Sequence, residues 1–390
     1  MSKIKIPLTV PCLQGNEWQY IKECLDTGWV SSAGKYVDLF EGKIADYTGA
    51  KYAIACVNGT AALHIALLIA GVKPNDEVIV PTLTFISPVN TIKYCGANPV
   101  FMDADKFYNI DSDKTIEFIE KETELKKDTN DRWYTYNKQT KRKVIAIIPV
   151  HIFGNAVWLD DLYEICRERN IKIIEDATES LGTRYTEGIF AGRHTGTIGD
   201  LGCFSFNGNK IITTGGGGMI VTNNSKYGER AKYLTTQAKD DEVRYIHHEV
   251  GYNYRLTNIQ AALGVAQLEQ LPRFIETKRN NYNLYKNNID QIEGLTLADV
   301  PEYAKNNYWL YALQVGKEYN KTRDELMEYL EEHGIQTRPV WYLNHMQRPY
   351  KNNYSYEIEH ALKLYNLNSR HFIPMMAPGL RVTHKAQPVF

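Results

Sequence analysis

A lysine, an aspartate and a serine define the chemistry open to this chain. Lys210 closes the run Cys203-Phe-Ser-Phe-Asn-Gly-Asn-Lys210 and leads into Gly215-Gly-Gly-Gly218. Upstream, the apolar run Ile171-Lys-Ile-Ile174 ends on Glu175-Asp176-Ala-Thr-Glu-Ser-Leu-Gly182. Taken alone, a lysine is a solvated surface charge and an aspartate after a strand is a helix N-cap. Together they are the parts needed to hold pyridoxal phosphate (PLP). The amine of Lys210 can form an imine with its aldehyde, Asp176 can keep the pyridine nitrogen protonated, and Ser205 can reach the phosphate. Burying a carboxylate is costly unless a cation pairs with it, and a pyridinium N–H would be such a partner. The protonated ring draws electrons from the carbon beside the imine, which can then lose a proton. Lys210, once displaced by an incoming amine, becomes available as the general base for that proton.

Other segments fit the same site. Asn58-Gly-Thr60-Ala61-Ala62 follows an apolar strand and opens an apolar helix, so its free N–H groups and helix dipole make an anion site, with the Thr60 hydroxyl added. By itself this is a plain N-cap. Pro81-Thr-Leu-Thr-Phe85 follows the next strand, where an aromatic could lie flat on a pyridine ring or simply fill the core. Gly215–Gly218 reads as backbone passing close to the cofactor, the alternative being a flexible turn. Gly251-Tyr-Asn253-Tyr-Arg255 says little alone beyond a helix start, with Thr257 or Asn258 as N-cap.

The elements that must position these residues alternate. Tyr52–Val57, Glu77–Pro81, Pro99–Asp103, Val144–Val150, Ile171–Glu175 and Gly202–Phe206 read as strands, with Ala61–Ile69, Ser87–Tyr94, Ser112–Lys121 and Leu159–Arg169 as helices between them. Such alternation implies crossover connections and a mostly parallel sheet covered on both faces, with ligands beyond the carboxyl ends of its strands. Residues 122–143 are charged and read as a surface excursion or small hairpin. After Thr257 the spacing predicts helices over Asn258–Gln270 and Pro272–Ile292, Pro272 opening the second. A strand Tyr308–Val315, a helix Arg323–His333 and a strand Gln336–Val340 follow. The expected organisation is an α/β large domain over 14–255 and a smaller C-terminal α/β domain over 256–390. Residues 1–13 are expected to pack with the smaller domain, and 370–390 to be disordered.

Bulk properties narrow the class. The 390 residues carry 45 Lys and Arg against 46 Asp and Glu, a formal charge of −1, which argues against a nucleic-acid partner. No apolar run approaches the roughly 18 residues of a membrane span, and Met-Ser-Lys-Ile-Lys-Ile-Pro lacks an apolar signal core. A cytoplasmic location is expected. Six scattered cysteines show no CxxC spacing, and the adjacent side chains of His247-His248 diverge, so no metal site is expected.

In this order the pieces resemble the DegT/DnrJ/EryC1/StrS family of sugar aminotransferases, PLP enzymes of fold type I. Matching runs extend from about Val10 to Gln347: Gly28-Trp-Val-Ser-Ser, Phe40-Glu41, Asn58-Gly-Thr-Ala-Ala-Leu63, Pro81-Thr-Leu-Thr-Phe85, Val150-His-Ile-Phe-Gly154, Glu175-Asp-Ala, Ser205-Phe and Gly251-Tyr-Asn-Tyr-Arg255. The resemblance implies that Lys210 is the PLP lysine and Asp176 the pyridinium partner. It implies that Phe85 stacks on the ring and that Thr60, Ala61 and Ser205 hold the phosphate. Asn253 would reach the phosphate of the neighbouring subunit's cofactor in a homodimer with shared active sites, and Arg255 and His345 would contact substrate. The chain departs from the family pattern in three places. Glu179 stands beside the ring where many relatives carry Gln or His, and Gly216 replaces a common glutamate. Asn366-Leu-Asn-Ser-Arg370 replaces the usual Asn-Leu-Pro-Ser-Ser.

Within the family, Asn207-Gly-Asn-Lys-Ile-Ile-Thr-Thr-Gly-Gly-Gly-Gly218 and Glu175-Asp-Ala-Thr-Glu-Ser180 look closest to the LegC-type branch, which resembles UDP-sugar 4-aminotransferases of legionaminic acid or related diamino-sugar biosynthesis. The implied reaction moves an amino group from glutamate, by way of pyridoxamine phosphate, to C4 of a UDP-linked 4-keto-6-deoxy-N-acetylhexosamine. Alternatives are a 3-keto or dTDP-sugar aminotransferase, a PLP-dependent sugar dehydratase, and a non-catalytic PLP-binding regulator. Relatives of the dehydratase kind have histidine at the Schiff-base position, and a regulator needs a DNA-binding element that the sequence lacks.

Overall fold

The computed structural model describes residues 6–241, 243–365 and 370–374. Its centre is a sheet of seven strands in the order Tyr52–Cys56, Gly218–Thr222, Leu201–Ser205, Lys172–Asp176, Lys143–Ile147, Glu77–Pro81 and Asn98–Met102. The last five run parallel to one another, and Gly218–Thr222 is antiparallel to both its neighbours. The expected mostly parallel α/β sheet is therefore present, with six of its strands where the alternation placed them, give or take a few residues at their ends. Gly218–Thr222 lies outside that expected set. The segment 122–143 is a hairpin, Thr123–Lys127 with Trp133–Asn137, whose second strand extends the sheet beside Lys143–Ile147.

The central strands carry apolar residues on both faces because helices cover both. Every residue of Glu77–Pro81 is buried. The helix Gly59–Ile69 is buried over eight of its eleven residues, which suits its lack of a polar face. Parallel strands end on one edge, so Asp176, Ser205, Val150 and the Thr82–Phe85 turn all emerge there. Gly218 pairs with both Ser205 and Cys56, which brings the start of Gly59–Ile69 to the same edge. A Cβ on Gly218 would lie 2.4 Å from the Asn58 carbonyl oxygen. Gly218 is thus required for strand and helix start to meet, and none of Gly215–Gly218 lines the cavity described below.

The helix after Thr257 runs unbroken from Asn258 to Ile289, with Pro272 inside it. This corrects the expected break. Leu268, Leu271 and Phe274 are buried on either side of the proline, and the helix packs against Glu17–Thr27 and Lys35–Thr48. Packing on both flanks outweighs the lost hydrogen bond and the clash of the ring with the preceding turn. Thr257 is the N-cap, in a capping box with Gln260.

A second, antiparallel sheet is ordered Leu295–Leu297, Leu313–Val315, Arg370–Pro374, Thr337–Pro339. The helix Arg323–Glu332 packs beside it through Leu326 and Leu330. The strand expected over Tyr308–Val315 is confined to its last three residues, because Tyr308 takes a left-handed φ of 54° and the Leu310 N–H donates to the Phe153 carbonyl instead of to a strand neighbour. Ile6 pairs with Ile335 at this sheet's margin. Of the tail expected to be disordered, 370–374 form a strand, while 366–369 and 375–390 lie outside the described residues. Among the described residues, no helix is long and apolar enough to cross a membrane.

Candidate active site

At the carboxyl edge of the parallel strands lies a cavity of about 390 Å³. Lys210, Asp176, Glu179, Ser205, Thr60 and Phe85 all line it. The structure therefore assembles six of the expected site residues around one space.

Asp176 is 3 % exposed, and its Oδ1 accepts the Thr178 N–H at 3.1 Å. Burial raises its pKa above the ordinary aspartate value, while Thr178 and the charge of Lys210 oppose the rise. Its position is fixed from behind by Glu175, a fully buried carboxylate. Glu175 Oε1 accepts the amides of Ile198 and Gly199 at 2.6 and 2.7 Å, and Oε2 accepts that of Gly196 at 2.7 Å. His151 completes the set at 3.0 Å. The Val157 N–H donates to His151 Nδ1 at 3.0 Å, so the ring proton sits on Nε2 and points at Glu175. Burial alone would raise the Glu175 pKa, but His151 and these amides hold it below the ordinary value. The strand end that presents Asp176 is thus tied to the Gly196–Gly199 turn and to the turn at His151.

Lys210 sits in the loop after Leu201–Ser205, its amide bonded to the Asn207 carbonyl at 3.0 Å. The ammonium lies 4.1 Å from the Trp309 ring centroid, a cation–π distance. It lies 3.5 Å from Glu179 Oε1. The Trp309 indole N–H donates to the Asn209 carbonyl at 2.9 Å, fixing the turn that carries Lys210. Glu179 Oε2 accepts the Phe153 N–H at 2.8 Å. Burial pushes the Glu179 carboxyl up to about 7, with Asp176 adding to the rise and Lys210 and the Phe153 N–H opposing it.

The opposite wall begins at Asn58. Its side chain accepts the Ala61 N–H at 2.7 Å, so that amide is already engaged and Ala61 is not part of the lining. The first amides of the helix, on Gly59 and Thr60, are the ones that face an anion. The Thr60 and Ser87 hydroxyls lie 2.6 Å apart. The Thr84 Oγ1 at this wall is buried and has no partner among the described residues. Phe85 caps the helix Ile86–Tyr94 and is 53 % exposed, its ring free to take a planar neighbour.

Three expected residues lie elsewhere. Asn253 is exposed and accepts from Arg255 Nε at 3.3 Å, and Arg255 also donates to Gln237 at 3.3 Å. Neither lines this chain's own cavity. His345 packs behind the Pro81–Phe85 turn, its Nδ1 2.6 Å from Thr82 Oγ1. Trp309, Trp341 and Thr178 line the cavity without having been singled out in the sequence.

These residues fit PLP. Among the described residues, a buried carboxylate without a cationic ion-pair partner, a lysine, an unpartnered threonine hydroxyl and a helix start with two hydroxyls suit its pyridinium, aldehyde and phosphate. When bound, PLP supplies an electron sink for the carbon attached to the reacting nitrogen. What this chain contributes is charge at Asp176, an amine at Lys210 and anion-binding donors at Gly59, Thr60 and Ser205.

Comparison with known proteins agrees. Residues 11–385 match the DegT/DnrJ/EryC1/StrS aminotransferase family. The chain is 39 % identical over 348 residues to a GDP-perosamine synthase of Caulobacter vibrioides, spanning 89 % of this chain and 87 % of that protein. It is 40 % identical over 356 residues to a GDP-perosamine synthase of Escherichia coli O157:H7, spanning 90 % and 88 %. Among solved structures, a DegT DnrJ EryC1 StrS aminotransferase from Brucella abortus superposes with a TM-score of 0.82 at 26 % identity, covering 94 % of this chain and 91 % of that one.

Proposed function

The chain belongs to the DegT/DnrJ/EryC1/StrS aminotransferase family, a PLP-dependent group of sugar aminotransferases, and from that premise we propose that it moves an amino group from glutamate to the C4 ketone of a nucleotide-linked 6-deoxyhexose. The observation that carries this reading is the convergence of Lys210 and Asp176 on one enclosed space beside an anion-binding helix start. Lys210 Nζ takes the proton from the α-carbon of the amino donor in one half-reaction and delivers a proton to the newly aminated carbon in the other. Asp176 keeps its negative charge opposite the ring nitrogen through both halves. Ping-pong kinetics follow from this division.

Two relatives named as GDP-perosamine synthases support guanosine diphosphate as the nucleotide. A second reading, a UDP-linked N-acetylhexosamine on the route to legionaminic acid, is favoured by the runs Asn207–Gly218 and Glu175–Ser180. The active unit in this proposal is a homodimer, in which the exposed Asn253 reaches the phosphate of the neighbour's cofactor and Arg255 and His345 contact substrate.

The test starts from enzyme converted by glutamate to its pyridoxamine phosphate form. GDP-, UDP- and dTDP-linked 3- and 4-ketosugars are offered in turn, and the acceptor is the one that restores the PLP absorbance. NMR of the product then gives the aminated carbon. Restoration only by 3-ketosugars, or by none of the set, would overturn the proposed acceptor.

A further inference from the structure

Glu179 has no task in the scheme above, yet the Lys210 ammonium faces its carboxylate. Oε1 lies 3.5 Å from Nζ, with the two side chains 4 % and 13 % exposed. The other oxygen, Oε2, is occupied by the Phe153 N–H. The Glu179 backbone is pinned as well, its carbonyl accepting Asn307 Nδ2 at 2.8 Å. Phe153 adopts a left-handed φ of 58°, which turns its amide toward Glu179, and its ring stacks on Trp341 at 5.3 Å. Trp309 closes the far side of the ammonium. The carboxylate is therefore held with one oxygen fixed and one directed at the reacting nitrogen.

We propose that Glu179 is a further catalytic residue, whose carboxylate accepts a proton from the Lys210 ammonium and later returns it. In the forward transfer an Nζ–H bond breaks and an Oε1–H bond forms. The ion pair becomes a neutral amine and a neutral carboxylic acid, and the net charge of the pocket does not change. The amine is then free to act as base while its proton stays in the pocket instead of passing to solvent. Other groups facing the pair are few. Asp176 is the second carboxylate, His151 stands behind it on the turn at 150–154, and Asn307 and Trp309 bring no charge from the opposite loop. Burial brings the Glu179 carboxyl to about 7, where a proton can pass either way at neutral pH. Gln or His at this position, as in many relatives by resemblance, would not act as a carboxylate acceptor.

This inference rests on Lys210 being the PLP lysine and is independent of which sugar is aminated. Infrared difference spectra of the full-length enzyme loaded with pyridoxamine phosphate, the form in which Lys210 is a free amine, recorded from about pH 5 to about pH 9, should show a protonated-carboxyl band titrating near neutrality. That band should disappear in Glu179→Gln, which keeps the shape of the side chain, its cofactor content and its melting temperature. In single turnover with glutamate, Glu179→Gln should lose about tenfold or more in rate together with the pH dependence near neutrality. Glu179→Asp should regain the band and part of the rate. A titrating band that persists in Glu179→Gln, or wild-type rate and pH profile in that variant, overturns the proposal. Absence of any such band from the wild type overturns it without recourse to a variant. Failure of the wild type to form the visible PLP chromophore would instead remove Lys210 from its assigned role, and the two failures are thereby distinct.

Discussion

Lys210 is held by an aromatic face, a carboxylate and a turn, and each contact leaves the nitrogen aimed into the cavity. Lys210→Ala should abolish the visible absorbance of the loaded enzyme and all turnover; retained amination would remove its assigned role. Asp176→Asn keeps the shape and removes the charge. Losing a charge-assisted hydrogen bond of about 1.5–3 kcal/mol should weaken PLP binding at least tenfold, read by titration of the apoenzyme, and slow both half-reactions. Wild-type affinity and rates would sink the pyridinium role. Asp176 was legible in the sequence because it closes an apolar strand, where a carboxylate is costly to bury without a partner, and Lys210 because it stands in the loop between the strand Leu201–Ser205 and a glycine run. Trp309 and Asn307 were not, since they reach the site from a loop far along the chain and no local period marks them. Ala61 was misplaced for a subtler reason: the Asn58 side chain claims the amide that an anion would otherwise use.

At the scale of elements, the site depends on strand ends being locked together, and Glu175 does most of that. It accepts three backbone amides and the His151 ring while fully buried. Its folded-state pKa lies below the ordinary 4.5. The stability it contributes is therefore complete above that value and is lost as pH falls through the lower folded one. Glu175→Gln should cost at least about 2 kcal/mol at neutral pH, measured by urea unfolding, with a smaller penalty in acid as the wild type loses the same contribution. A constant difference across pH would rule this out. Pro272 offers the reverse case. Pro272→Ala restores a helix hydrogen bond and removes a ring–carbonyl clash, offset in part by greater freedom of the unfolded chain, so it should stabilise by about 1–2 kcal/mol. The strand pattern could be read from apolar runs bounded by turns. The continuity of the long helix could not, because what overrides the proline is packing against helices formed by residues 17–48.

For the whole molecule, the question is why Asn253 and Arg255 stand outside the cavity their own chain forms. They follow closely in the chain on Val243, Tyr245 and Val250, which are 87 %, 71 % and 80 % exposed. Large apolar side chains this exposed are costly to leave in water and would suit burial against a second copy. In the homodimer proposed above, each chain would supply Asn253 to the site built on the other chain's Lys210. Asn253→Ala should weaken PLP binding about tenfold through loss of one bond to a charged phosphate. The stronger test pairs two defective chains. Co-expressed Lys210→Ala and Asn253→Ala chains form heterodimers in which one site carries both lesions and the other carries neither. If chains mix at random, half the dimers are of this kind, and activity at limiting PLP should recover to about a quarter of wild type, above the sum of the two variants measured alone. Activity no greater than that sum, in a sample shown by sedimentation to contain heterodimers, would place Asn253 in its own chain's site.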